Sequence, residues 1–217
     1  MSFEWVNFTD VVDCFDSIRV PLSSKERLNL DKKYPYYGAQ GIIDYVDDYL
    51  FDGEYILLAE DGDNLRSKKL PISQIASGKF WVNNHAHIYR AKDCTSNLFV
   101  SAALNYVDIN PFITGAAQPK LSQNSLKFLK IPFPDIKTQN AICLILGSIE
   151  KKQAILKDLT VEYERLIEVF YREWFINFKF PNHEQVKFVD GIPDGWELKE
   201  VSELTQLISR GITPKYN

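Results

Sequence analysis

The chain has 217 residues, 45% hydrophobic and 13% aromatic, enough to fill one good core and an appended element but not two full domains. Its three cysteines, Cys14, Cys94 and Cys143, lie far apart without paired spacing, which excludes a disulfide framework and a zinc knot. The formal net charge of −4 argues against a uniformly basic nucleic-acid binder.

The opening MSFEWVNFTD has no basic stretch followed by an apolar one, and no apolar run approaches the ~20 residues of a membrane helix, so a soluble, cytoplasmic protein is expected. From about Trp5 to Pro134, short apolar segments alternate with turn residues, as in YILLA at 55–59, FWVNNHAHIYR at 80–90 and FLKIPFP at 128–134. This pattern predicts a strand-rich domain, with short helices at 9–15, 72–77 and 97–106. Charges are segregated along it. Asp44, Asp47, Asp48, Asp52, Glu54, Glu60, Asp61 and Asp63 form an acidic block, whereas basic residues gather around 25–33, 66–69 and 120–130. Brought to one face, those basic groups would make a positive groove on an acidic protein; left apart, they are ordinary solvated lysines and arginines.

Phosphate contact is the candidate role for Lys25, Arg27, Lys32 and Lys33, and for Arg66, Lys68 and Lys69, which follow the turn-rich EDGDN. In YPYYGAQG, Tyr36 and Tyr37 either pack on sugars or bases or belong to the core, and Gln40 offers an amide suited to adenine. Asn83, Asn84 and His85 supply donors and acceptors in NNHAH, and Thr114, Gln118 and Lys120 do so in ITGAAQPK. His85 and His87 share a face if their segment is a strand, but neither Asp93 nor Cys94 completes a ligand set, so no metal site is expected. Phosphate-cradling glycine loops and nucleophile elbows are missing, so no catalytic residue is assigned.

Pro132 and Pro134 close the globular part. The stretch from Lys137 to Phe178 then contains no proline and only Gly147. Counting heptads from Ile142, the first position recurs as Ile149, Leu156, Tyr163 and Phe170, and the fourth is Ile145, Lys152, Leu159, Leu166 and Glu173. This seam predicts a helix that packs against other helices along its length, with Lys152 its polar interruption. Forty residues at ~1.5 Å each reach ~60 Å, beyond the span of a small domain, so the seam needs a partner. Past Pro181, Trp196, Val201 and Pro214 echo Trp5, Val11 and Pro21, as if a second unit were starting. The expected fold class is α+β, with a strand-rich globular domain at 1–136, a helical arm at 137–180, and a linker and truncated start of a second unit at 181–217.

The blocks YPYYGAQGIIDYVDDYLFDGEYILLAEDG, NNHAHIYR and ITGAAQPKLSQNSLKFLKIPFP, then an arm opening TQNAI and ending FYREWF, occur in an order that resembles half of a type I restriction-modification specificity subunit. The resemblance implies a DNA-reading, non-catalytic chain that forms an antiparallel homodimer through its arm and recognises a split palindrome. It also implies modification subunits that carry S-adenosylmethionine for adenine methylation, and a restriction subunit using ATP and Mg, with no cofactor held by this chain. Two alternatives stand beside it: a coiled-coil scaffold whose globular domain binds protein, and a recognition module of another methyltransferase class.

Overall fold

The computed structural model describes residues 3–206, which fall into two compact units divided between Lys151 and Lys152. In the first, β1 (Glu4–Asn7) pairs antiparallel with β8 (Lys130–Phe133). A six-stranded sheet is built from β2 (Val12–Cys14), β3 (Tyr34–Gly38), β4 (Gly41–Val46), β5 (Phe51–Ala59), β6 (Ser73–Val82) and β7 (Ala86–Ala91), in the order β2-β7-β5-β6-β3-β4. All its pairs are antiparallel except the short β3–β6 contact. Short helices α1 (Ser24–Arg27), α2 (Asn64–Ser67) and α4 (Gln123–Leu126) sit in the connections, and α3 (Asn97–Tyr106) packs on the sheet.

The run YILLA is apolar throughout because β5 is central and covered on both faces. Ile56 and Leu58 join one core with Phe8, Val100 and Leu104, while Tyr55 and Leu57 join another with Phe51, Phe80 and Ile88. Of the predicted short helices, 97–106 is one. Residues 9–15 instead hold the end of a 3-10 turn and then β2, whose Val12 pairs with Ala91. Residues 72–77 open β6, where Ile75 lies opposite Ile56. In both places pairing to a buried strand outweighs weak local propensity.

The arm is α5 (Ile136–Tyr171), continued by a π-helical turn over Arg172–Ile176. Asp135 caps it: one carboxylate oxygen accepts from the Thr138 amide at 3.0 Å and the other from its hydroxyl at 2.9 Å. Those bonds hold the Asp135 carboxyl below its usual range. The first turns of α5 are not a free seam. Gln139 is 2% exposed, Ile142 packs against the core that holds Phe8 and Leu104, and a side chain at Gly147 would meet Leu98. Ile142 therefore leaves the expected dimer seam for the core of its own unit. Beyond it, Ile145, Ile149, Leu156, Leu159, Tyr163, Leu166 and Phe170 are all exposed, as is Lys152.

In the second unit, β9 (Phe188–Val189) and β10 (Ile192–Pro193) form a small hairpin, and α6 (Val201–Leu204) follows. Trp196 gathers Phe175, Phe178 and Phe180 around its ring, with centroids 5.6–6.1 Å away. Trp5, its counterpart in the sequence echo, instead stands in β1 opposite Pro132. Pro214 lies outside the described residues.

Candidate functional site

Four segments far apart in sequence meet within the first unit. The Glu60 amide donates to the His85 carbonyl at 2.9 Å, the Gly62 amide to Pro119 at 3.1 Å, the Leu121 amide to Glu60 at 2.8 Å and the Asn83 amide to Tyr37 at 3.0 Å. These bonds bring together the β3–β4 turn, the 60–70 segment, the β6–β7 turn and the 114–120 loop. That loop is closed at its neck by reciprocal 2.8 Å bonds between the Thr114 and Lys120 backbones. Arg66 braces its tip, donating to the carbonyls of Gly115 at 2.9 Å and Ala116 at 3.4 Å. Gly115 has φ +82°, and a Cβ there would lie 2.2 Å from the Gln118 carbonyl oxygen. Gly115→Ala should therefore distort the tip and cost about 1–3 kcal/mol of local strain. A lower thermal midpoint together with weaker duplex binding is expected, and unchanged duplex binding would separate this loop from the interface.

Beneath the loops lies a buried ionic cluster. His87 Nδ1 is 2.6 Å from Asp16 Oδ2 and Nε2 is 2.7 Å from the Leu121 carbonyl, with the His87 side chain 2% exposed. The Leu121 carbonyl can only accept, so Nε2 donates to it, and Nδ1 faces the Asp16 carboxylate. Asp16 also accepts from the Ile88 amide at 2.8 Å and from Gln123, and Arg19 approaches it at 3.2 Å. Burial alone would raise the Asp16 pKa, but the bonds from His87, Gln123 and Ile88 outweigh it and leave the carboxyl below its usual range. Glu60 behaves likewise: burial is opposed by Arg19 at 2.8 Å, by the nearby His87 and by Lys120 at 3.1 Å, and the net shift is downward.

Ligand atoms of Asp16, Glu60 and His87 come within 4.8 Å of one another. The grouping is a hydrogen-bond and ion-pair cluster by chemistry, since both ring nitrogens of His87 are engaged by protein partners and Arg19 and Lys120 already neutralise the carboxylates. No sequence spacing announced it, because 71 residues separate Asp16 from His87. Arg19 and Gln123, which complete the cluster, were likewise invisible to motif reading.

Of the residues singled out from sequence, Gln40, Arg66, Lys69, Asn84, His85, Thr114, Gln118 and Lys120 are exposed on these loops. Lys25, Arg27, Lys32 and Lys33 are elsewhere, by the opposite end of the β3–β4 hairpin, where Asp44 holds Arg27 at 2.5 Å and Lys32 at 3.0 Å. Three placements correct the sequence reading. Tyr36 is 1% exposed, with its hydroxyl bonded to the backbone of Leu22, so it belongs to the core. Asn83 is 6% exposed and accepts from the His85 amide, which makes it a turn-former. Lys68 has φ +46° and donates to the Val107 carbonyl at 3.0 Å, tying α2 to the end of α3. Tyr37 is half-buried, edge-on to Phe80.

Residues 3–165 match the family model described as the type I restriction modification DNA specificity domain. The chain belongs to that family. A putative type I restriction enzyme specificity subunit of Haemophilus influenzae is 35% identical over 147 residues, covering 67% of this chain and 37% of the relative. The EcoprrI specificity subunit of Escherichia coli is 28% identical over 120 residues, covering 54% and 28% respectively. This chain therefore spans well under half the length of these specificity subunits. The crystal structure of the type I S subunit from M. genitalium superposes with a TM-score of 0.65 at 18% identity, over 82% of this chain and 47% of that one. This likeness shows the specificity-subunit fold: a strand-rich α+β domain followed by a long helix. Among the described residues, no helix is long and apolar enough to cross a membrane.

Proposed function

We propose that this chain is a non-catalytic specificity subunit that reads double-stranded DNA with the gathered loops of its first unit and pairs with a second copy through α5. The observation that carries the pairing is the exposed apolar seam from Ile145 to Phe170, a length of helix that water alone would not cover. Residues 1–136 act as the recognition domain and 137–180 as the arm. Antiparallel pairing sets two identical readers a fixed distance apart, so the target is a split palindrome. Adenine methylation is performed by modification subunits bearing S-adenosylmethionine, and cleavage by an ATP- and Mg-dependent restriction subunit, in the prokaryotic cytoplasm. Family membership and the specificity subunits it resembles support this reading.

The test is duplex binding as a function of salt. The logarithm of the affinity should fall linearly with the logarithm of salt concentration, with a slope of roughly −0.9 for each phosphate neutralised. A chain that binds protein instead of DNA would show no duplex affinity at any salt, and that result would overturn the proposal.

A further inference from the structure

Whether a side chain can read a base depends on what it is already doing in the folded protein. On the gathered loops most cations are committed to the protein itself. Arg66 is spent on the carbonyls of Gly115 and Ala116, Lys120 on Glu60, and Arg19 on Asp16, Glu60 and the Ala86 carbonyl. His85 is held by Asp61 at 2.7 Å. Among the described residues, by contrast, the exposed side chains of Gln40, Asn84 and Gln118 make no hydrogen bond.

We propose that the first unit reads its half-site through these three uncommitted amides, and that the bases they read are the adenines of A·T pairs. This rests on the DNA-reading function proposed above. An amide of Asn or Gln matches the N6 donor and N7 acceptor of adenine as a bidentate pair, whereas guanine calls for Arg or Lys, and here those groups are largely engaged. The three amides also stand on stiff supports that backbone hydrogen bonds tie to one another. Gln40 lies in the tight β3–β4 turn closed by Gly38 opposite Gly41, and its Nε2 is 3.9 Å from where a Gly62 Cβ would sit. Gln118 occupies the neck-closed loop, whose Pro119 carbonyl takes the Gly62 amide at 3.1 Å. Asn84 is fixed from both sides, by the Asn83 amide on Tyr37 and the His85 carbonyl on the Glu60 amide. Asp63, Arg66 and Lys69 line the same cleft as Gln40, so a base edge and a phosphate can both be met there. Lys69, also uncommitted, is left for the DNA backbone at its rim.

The experiment selects binding sequences from duplexes with a randomised segment, using the purified chain alone and with its modification subunits, for the wild type and for Gln40→Ala, Asn84→Ala, Gln118→Ala and Lys69→Ala. All four positions are exposed, so folding should survive, with thermal midpoints as the control. The expected wild-type half-site contains A·T pairs besides the one that adenine methylation itself requires, and each amide variant should lose roughly tenfold to a hundredfold of its preference at one of them. The salt slope should be unchanged in those variants and shallower by about one in Lys69→Ala. A half-site whose A·T preference is confined to the methylated adenine, or amide variants that select the wild-type sequence, overturns the inference while leaving DNA recognition standing. No enrichment by the wild type under either condition would instead remove the recognition reading itself, and this inference with it.

Discussion

If α5 pairs two copies as proposed, replacing Leu156 and Leu159 together with aspartate is expected to turn the dimer into monomers. Both side chains are exposed within a single chain, at 52% and 43%, so their substitution leaves the core of each unit intact. In a two-fold interface every change counts twice, because the same patch serves both partners. Four buried leucines contribute at least about 6 kcal/mol, and burying the new carboxylates would cost several more. At 1.4 kcal/mol per tenfold, the dissociation constant should rise by more than about four orders of magnitude. Sedimentation velocity over a range of concentrations would show the smaller species, and circular dichroism should show the helix content retained in folded monomers. Duplex binding should weaken too, since a lone reader contacts only half a site. A dimer that survives both substitutions would place the interface away from the arm.

Asp16→Ala should be the most damaging single change in the first unit. The carboxylate joins the 3-10 turn after β2 to β7 and α4 through His87, the Ile88 amide and Gln123, and it answers the Arg19 guanidinium. Its removal takes the acceptor from three buried or half-buried groups, on His87, Ile88 and Gln123, a loss of about 3–5 kcal/mol. For a chain of this size that corresponds to a fall of roughly 10 °C in the thermal midpoint. Leu121 and Glu60 link the same cluster to the 114–120 loop, so duplex affinity should fall along with stability. A midpoint within a degree or two of the wild type would show that the cluster is not holding these elements.

The same cluster sets the response to acid. Asp16 and Glu60 both have folded-state pKa values below the ordinary carboxylate range, so in the unfolded chain they bind protons more readily. Their contribution is complete above the unfolded carboxylate range, from roughly pH 5 upward, and is lost as the pH falls through the depressed folded values. Denaturant melts at descending pH should therefore show a steeper acid loss in the wild type than in Asp16→Ala.

The arm shows how far periodicity carries. A helix without proline, with one apolar stripe repeating every seven residues, is a local property of the chain, and α5 is that helix. Periodicity did not reveal that its first turns serve as a core helix, because Ile142 and Gly147 acquire their neighbours, the core that holds Phe8 and the side chain of Leu98, only when the chain folds. The strand-rich character of the domain was equally legible, since turn residues and short apolar runs are local. The strands at 12–14 and 73–77 were not, because their stability comes from partners up to 79 residues away. The candidate interface divides in the same way. Residue type alone marked Gln40, Asn84 and Gln118 as capable of reading bases, and it marked Arg66, Lys68, Lys120 and Tyr36 as equally good contacts. Tertiary structure separated the two groups, because a donor already satisfied by a carbonyl or a carboxylate has little left to offer a ligand, and only the folded chain decides which donors are satisfied.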